Sequence, residues 1–337
     1  MNPRYSCLYP QRACPRKCSY CGSRNVRGTR LLEWWEWAWA IRKMEKVGVQ
    51  FHLFLGNEVI IYPDIVELVR SMKGKKNYAM YTTFPQPIYS RKRKELIDSG
   101  LYNLSCGIDL LDTKTYSDKS ITEKSLGGIK NLKYLVRKIP DVQGTITITR
   151  KNYKILPQII KVLTRNKIWC GMNMVEHNLD GKFDFFGPNK IIKPFLLTDK
   201  DIPDFSNVMG TISDMIRSGE YMIQNPPEYF DLASRYYDMS WHCKHPLIMT
   251  IEEDGTFRCC GYRKGKRVSK FTIFDIGYKL TLDEYIKLQM EDRKECPGCY
   301  WSYEWMAEHY LTKDKLETVL DDKFKSHSSE YYKGANK

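Results

Sequence analysis

Six short runs rich in β-branched and aromatic residues, separated by longer amphipathic runs, set the tightest limit on how this chain can fold. The β-like runs are Tyr5–Tyr9, Phe51–Leu55, Tyr78–Thr83, Leu101–Ile108, Val142–Thr149 and Ile168–Val175. Helical spacing fills Leu31–Val47, Pro63–Met72, Arg91–Ser99, Glu123–Lys138 and Lys154–Arg165 between them. Strand, helix, strand at this spacing builds βαβ units and a parallel sheet. Six such strands predict an α/β fold, a partial (β/α)6 TIM-like barrel. In folds of this kind chemistry belongs just past the C-terminal ends of the strands.

The loop after the first run reads Cys14-Pro15-Arg16-Lys17-Cys18-Ser19-Tyr20-Cys21. Three thiols at CxxxCxxC spacing are soft ligands, suited to an iron–sulfur cluster or to zinc. A cubane has four irons, so three local cysteines leave one iron open to a small molecule. The same residues could equally be three-quarters of a structural zinc site.

With Tyr20 just before the last cysteine, this loop resembles the signature of the radical S-adenosylmethionine (SAM) superfamily. The resemblance implies a [4Fe–4S] cluster on Cys14, Cys18 and Cys21, whose free iron chelates SAM. It also implies one-electron cleavage of SAM to a 5′-deoxyadenosyl radical, which takes a hydrogen atom from the substrate. Gly56-Asn57-Glu58, after the second run, is similar to the family's Gly-Gly-Glu element, which meets the SAM amino group; Asn57 replaces the second glycine. A carboxylate with backbone carbonyls suits an ammonium donor. Tyr81-Thr82-Thr83 resembles the Thr-Asn-Gly step with Asn and Gly missing. After the fourth run Asp109 matches the family's Ser-x-Asp, with Gly107 at the serine position. Lys119 lies near where relatives place an arginine against the SAM carboxylate, although an exposed lysine is the commoner explanation. Asn152 matches an asparagine that relatives often carry. In the fifth run Thr145, Thr147 and Thr149 alternate with Ile146 and Ile148, so the threonine face is either the barrel interior or solvated. Cys106, Cys170 and Cys7 read as buried, inert thiols.

A second cysteine set follows. Asp254-Gly255 between Leu247–Ile251 and Thr256–Arg258 is a hairpin signal that brings Cys243 near Cys259 or Cys260. Cys296-Pro297-Gly298-Cys299 adds a CxxC. Alone, this set is also compatible with a zinc ribbon. Its order resembles the auxiliary-cluster domain of radical SAM enzymes in the shorter twitch form; the longer SPASM form would need more cysteines after Cys299. The resemblance implies one auxiliary [4Fe–4S] cluster on Cys243, Cys260, Cys296 and Cys299, serving electron transfer or pinning the C-terminal part.

The resulting division is a barrel over 1–180, a connector over 181–240 with a helix near Asp199–Ser218 and aromatic loops around Pro226–Tyr237, an auxiliary unit over 241–311 and a charged tail over 312–337. The chain has 337 residues and a net charge of +14. That balance suits either a solvated basic surface or an anionic partner such as a nucleotide, phosphosugar or nucleic-acid base. No signal peptide and no run of about 18 apolar residues is present, so a cytoplasmic protein without a membrane span is expected. The expected partners are SAM, a small-molecule or nucleotide-type substrate, and an electron donor such as flavodoxin or ferredoxin. A peptide-modifying maturase is a second reading. The cysteine loop begins at Cys14, which leaves no room for a preceding peptide-recognition domain and argues weakly against a leader-dependent peptide. A third reading is a non-catalytic zinc protein that binds nucleic acid or a partner.

Overall fold

A computed structural model of the chain describes residues 5–21, 31–86, 88–112, 118–175, 192–244, 248–258, 267–277, 281–294, 296, 298–302, 305–306 and 308. Its first six strands are β1 (Tyr5–Leu8), β2 (Phe51–Phe54), β3 (Tyr78–Thr82), β4 (Asn103–Gly107), β5 (Asp141–Ile148) and β6 (Trp169–Met174). They lie side by side in chain order and pair in parallel. The linking helices are α1 (Trp34–Lys46), α2 (Ile65–Ser71), α3 (Ile88–Asp98), α4 (Lys119–Leu135) and α5 (Leu156–Arg165). The partial barrel expected from the sequence is therefore the fold. α4 begins earlier than its apolar pattern, because the Asp118 side chain accepts from Ile121 N at 3.1 Å and caps it.

Strand alternation sorts the side chains. Leu8, Phe54, Met80, Leu104, Ile146 and Met172 join the main core with the helices. Cys7, Leu53 and Ala79 face the concave side and pack with Ile248 and Trp301. The threonine face of β5 is concave too: Thr145 Oγ1 lies 2.7 Å from Ser105 Oγ, while Ile146 and Ile148 are buried against the helices. Cys106 and Cys170 are buried on the helix side, as expected, and burial raises both thiols.

The free edge of β6 is capped rather than left open. Cys170 N donates to Met222 O at 2.8 Å, and Gln224 N donates to Cys170 O at 2.8 Å. The Asn225 amide then imitates a strand, accepting from Met172 N at 2.7 Å and donating to Met172 O at 2.9 Å. Covering an edge in this way blocks pairing with another chain.

Beyond the barrel come α6 (Ile202–Arg217), α7 (Pro227–Ala233), β7 (Ile248–Ile251), β8 (Thr256–Arg258), β9 (Arg267–Thr272) and α8 (Leu282–Arg293). α7 stands where the sequence suggested only aromatic loops. β7 pairs in parallel with β1, turns at Asp254-Gly255 (Gly255 φ +84°) into β8, and β8 pairs with β9. The region expected from residue 241 is thus joined to the barrel by one continuous sheet. Its last described segment crosses the side that six strands leave open. Ser302 N donates to Asn173 Oδ1 at 3.1 Å on β6, Tyr300 stacks on Tyr229 at 4.7 Å, and Trp301 packs against Cys7 and Leu53. Among the described residues no helix is long and apolar enough to cross a membrane. Residues 181–191 of the expected connector and the tail at 312–337 lie outside the described residues.

Candidate active site

The cysteine loop leaves the C-terminal end of β1 and is tied down on both sides. On the β2 side Asn57 N donates to Gln11 O at 3.0 Å, and the Asn57 side-chain amide donates to Arg12 O. Gly56 makes that approach possible. Its φ is +57°, and a Cβ there would sit 2.7 Å from Gln11 O. Asn57, which replaces a glycine of the family element, needs no left-handed backbone; Gly56 alone supplies it. Gly56→Ala is therefore expected to cost about 1–2 kcal/mol from the backbone alone, with the clash in addition. A lower thermal midpoint together with reduced iron content would check this.

On the α4 side Ser19 N donates to Asp118 Oδ2 at 2.6 Å and Lys17 N to Ser120 Oγ at 3.2 Å. Arg16 pairs with Glu123 at 3.0 Å and donates to Thr83 O at 3.3 Å. Within the loop Cys21 N donates to Cys18 O at 3.0 Å. Cys18 is buried among Leu110, Ile121 and Phe195, with Tyr20 and Cys21 beside it. Burial pushes the Cys14 thiol up to about 12 and Cys18 to about 11; Cys14 also feels Cys18 and Cys21 as neighbouring charges, and Cys18 feels Cys21. A metal must displace those protons to bind.

Glu58 is fully buried and caps a short turn at Val59–Ile61. Its Oε1 accepts from Ile60 N at 3.0 Å and Thr82 Oγ1 at 2.8 Å; its Oε2 accepts from Thr83 N at 2.6 Å and from the Thr83 hydroxyl. Burial pushes this carboxyl up, and the donors of Thr83, Ile60 and Thr82 pull it back. Thr82 and Thr83 thus hold Glu58, welding the β2 loop to the end of β3.

Asp109 is the hub of the third wall. Oδ2 accepts from Tyr20 Oη and Lys124 Nζ, both at 2.5 Å, and Oδ1 accepts from Thr147 N at 2.8 Å. Lys124 Nζ also donates to Tyr20 Oη at 2.5 Å. Asn152 donates to Asp109 O at 3.0 Å and to Thr147 O at 2.9 Å, fixing the end of β5. Burial opposes the Lys124 charge, but Asp109 beside it holds its pKa well above the usual lysine value. Burial and Asp109 likewise raise Tyr20. Lys124 crosses Gly107: a Cβ on that glycine would meet Nζ at 2.8 Å and Cε at 3.0 Å. Lys119 takes another course. Its side chain is 90% exposed at the rim, 3.7 Å from Glu123. The structure therefore brings Lys124, and not Lys119, to the buried site. Spacing favoured Lys119; only the missing Cβ at Gly107 marks the path that Lys124 takes.

Residues 8–163 match the family model "Radical SAM superfamily". The barrel is a radical SAM domain. The sequence matches no curated protein. Among solved structures, SuiB of Streptococcus suis bound to S-adenosylmethionine matches with a TM-score of 0.63 at 18% identity, over 87% of this chain and 68% of that one. SuiB bound to precursor peptide SuiA matches at 0.60 and 17%, over 87% and 67%. These likenesses concern the fold.

A radical SAM domain uses a [4Fe–4S] cluster and SAM, and the donor set here fits that cofactor. Cys14, Cys18 and Cys21 share one short loop past the end of β1, tied down by Asn57, Asp118 and Ser120. Among the described residues no three His, Cys, Asp or Glu side chains converge as on a single ion. Three thiolates supply three of the four corners of a cubane. The family match also sets aside the non-catalytic zinc reading for this loop.

Beyond the matched residues the second cysteine set is partly visible. Cys243, Cys296 and Cys299 are half-buried. Cys299 N donates to Trp241 O at 2.9 Å. Gly298 (φ +101°) lies so close that a Cβ would come 2.5 Å from Met239 O and 2.9 Å from Trp241 O. Backbone packing therefore sets the CxxC turn against the segment that leads into Cys243. Cys259 and Cys260 lie outside the described residues.

Proposed function

We propose that this chain is a radical SAM enzyme whose substrate is an uncharged, peptide-type segment lying against the concave face of the barrel. When bound, the cluster and SAM supply a 5′-deoxyadenosyl radical that removes a hydrogen atom. The chain's own residues orient and enclose that chemistry. Cys14, Cys18 and Cys21 hold the cluster. Gly56 and Asn57 shape the wall for the SAM ammonium, and Glu58 acts by locking that wall to β3, since each of its oxygens already accepts two protein donors. Lys124 supplies the cation for the SAM carboxylate. Asp109 and Tyr20 take two of its three donors and leave it aimed over Gly107. Cys243, Cys260, Cys296 and Cys299 hold an auxiliary [4Fe–4S] cluster that carries electrons.

One observation carries the substrate class. Among the described residues none of the six barrel strands carries a Lys or Arg. One half of the wall is apolar, with Cys7, Leu53 and Ala79; the other offers hydroxyls and amides, with Ser105, Thr145 and Asn173. A phosphate brought against these strand positions would meet no cation from the strands themselves, and Lys124, which reaches this end of the barrel from α4, is held by Asp109 and Tyr20. The fold likeness to SuiB in its peptide-bound form supports the same reading.

Anaerobic metal and sulfide analysis tests the cofactor content: two cubanes require about eight irons per chain, and the first cluster alone about four. Incubation with SAM and reductant should then change the mass of a peptide in a mixed pool and leave nucleotides and sugar phosphates unaltered. The reverse outcome would overturn the substrate assignment.

A further inference from the structure

Arg12 stands two residues before Cys14 and is only 2% exposed. Its guanidinium forms a two-pronged pair with Glu252, through Nε to Oε2 at 2.6 Å and through Nη2 to Oε1. The same side chain lies over the Tyr9 ring, 3.7 Å from its centroid. Its backbone is held as well. Arg12 N donates to Glu253 Oε2 at 2.8 Å, and Arg12 O accepts from Asn57. Arg258 also forms an ion pair with Glu252, Nε lying 2.5 Å from Oε1. Arg258 ends β8, directly before Cys259 and Cys260 in the sequence.

We propose that Arg12 is a positioning residue of the cluster loop, and that the β7–β8 hairpin, through Glu252 and Glu253, sets the place from which Cys14 starts. The proposal rests on the radical SAM assignment but concerns residues outside the cysteine motif. Buried ion pairs are a poor source of stability compared with apolar packing of similar volume. What they supply here is direction. A fork on a carboxylate fixes both position and orientation, and with N–H and C=O also tied, residue 12 is held on every side. The hairpin thereby becomes part of the site: Glu252 bridges an arginine two residues before Cys14 and another two residues before Cys260. The Tyr9 N to Ile251 O bond of 3.0 Å and the Leu32 N to Glu253 O bond of 2.8 Å make the junction rigid on either side of the pair.

The test uses the full chain, loaded with iron and sulfide without air, in wild-type, Arg12→Lys and Arg12→Gln forms. Iron per chain, the electron paramagnetic resonance signal of the reduced protein with and without SAM, and the SAM Kd are read. Both variants are expected to weaken SAM binding about 10–100-fold, the range for outer-shell partners of metal sites, and to blunt the change that SAM makes in the signal. Lysine is expected to rescue little, because it keeps the charge and loses the fork. A lower thermal midpoint with an unchanged Kd and an unchanged signal would overturn the proposal, leaving a purely structural pair. Should neither variant fold, Glu253→Ala keeps the guanidinium fork and releases only the Arg12 N–H, and the same two readouts decide. Wild-type protein with no SAM-sensitive signal would count against the radical SAM reading itself, not against the role of Arg12.

Discussion

Replacing Cys14, Cys18 and Cys21 together by alanine is expected to abolish reductive cleavage of SAM and to remove about four irons per chain. The loss should be complete, because the three thiols are the proposed protein ligands of the first cluster. The fold should survive. The loop is held by Asn57, Asp118, Ser120 and Arg12, none of which acts through a thiol. Circular dichroism should therefore match the wild type, and the iron of the proposed auxiliary cluster should remain. Release of 5′-deoxyadenosine, followed by chromatography under reducing conditions, is the deciding measurement. Cleavage that persists in the triple variant would show that the reaction centre lies elsewhere.

Most of the barrel was legible because it is written locally. Each strand expected from alternation is present within two residues of its expected bounds, and the Asp254-Gly255 turn makes its hairpin. The cysteine loop was equally plain, since three thiols within eight residues need no tertiary information. What escaped were pairings across long sequence distances. Arg12 meets Glu252 across 240 positions, and neither residue carries a local mark of burial. Lys124 sits in an amphipathic helix where a lysine reads as surface. Its inward course depends on Gly107, which in the sequence looked only like the loss of a serine. α7 was obscured by its Pro226-Pro227 start, although proline at the first helical position is well tolerated. The threonine face of β5 could be assigned only once Ser105 stood opposite it.

Lys124→Met is the second change with a large expected effect. Methionine keeps the unbranched stem, one atom shorter, and removes its charge. Asp109, which is 0% exposed, would then stay buried with Tyr20 Oη and Thr147 N as its described donors. Breaking a buried pair by deleting one partner costs roughly 3–5 kcal/mol, read as a lower urea midpoint. SAM affinity should fall with it, since the cation assigned to the SAM carboxylate is gone. Lys119→Met is the control: an exposed pair such as Lys119 and Glu123 contributes about 0–1 kcal/mol. The link to Gly107 makes a sharper test. Gly107→Ser alone restores the serine of the family pattern but drives a Cβ into Nζ at 2.8 Å, so it should destabilise the protein. Combined with Lys124→Ala, the serine gains its space, and the double variant should be more stable than the two single losses added together. Contacting residues show coupling of about 0.5–3 kcal/mol in such cycles. Strict additivity would mean that the two positions do not share that space, and the assignment of Lys124 to the SAM side of the barrel would lose its footing.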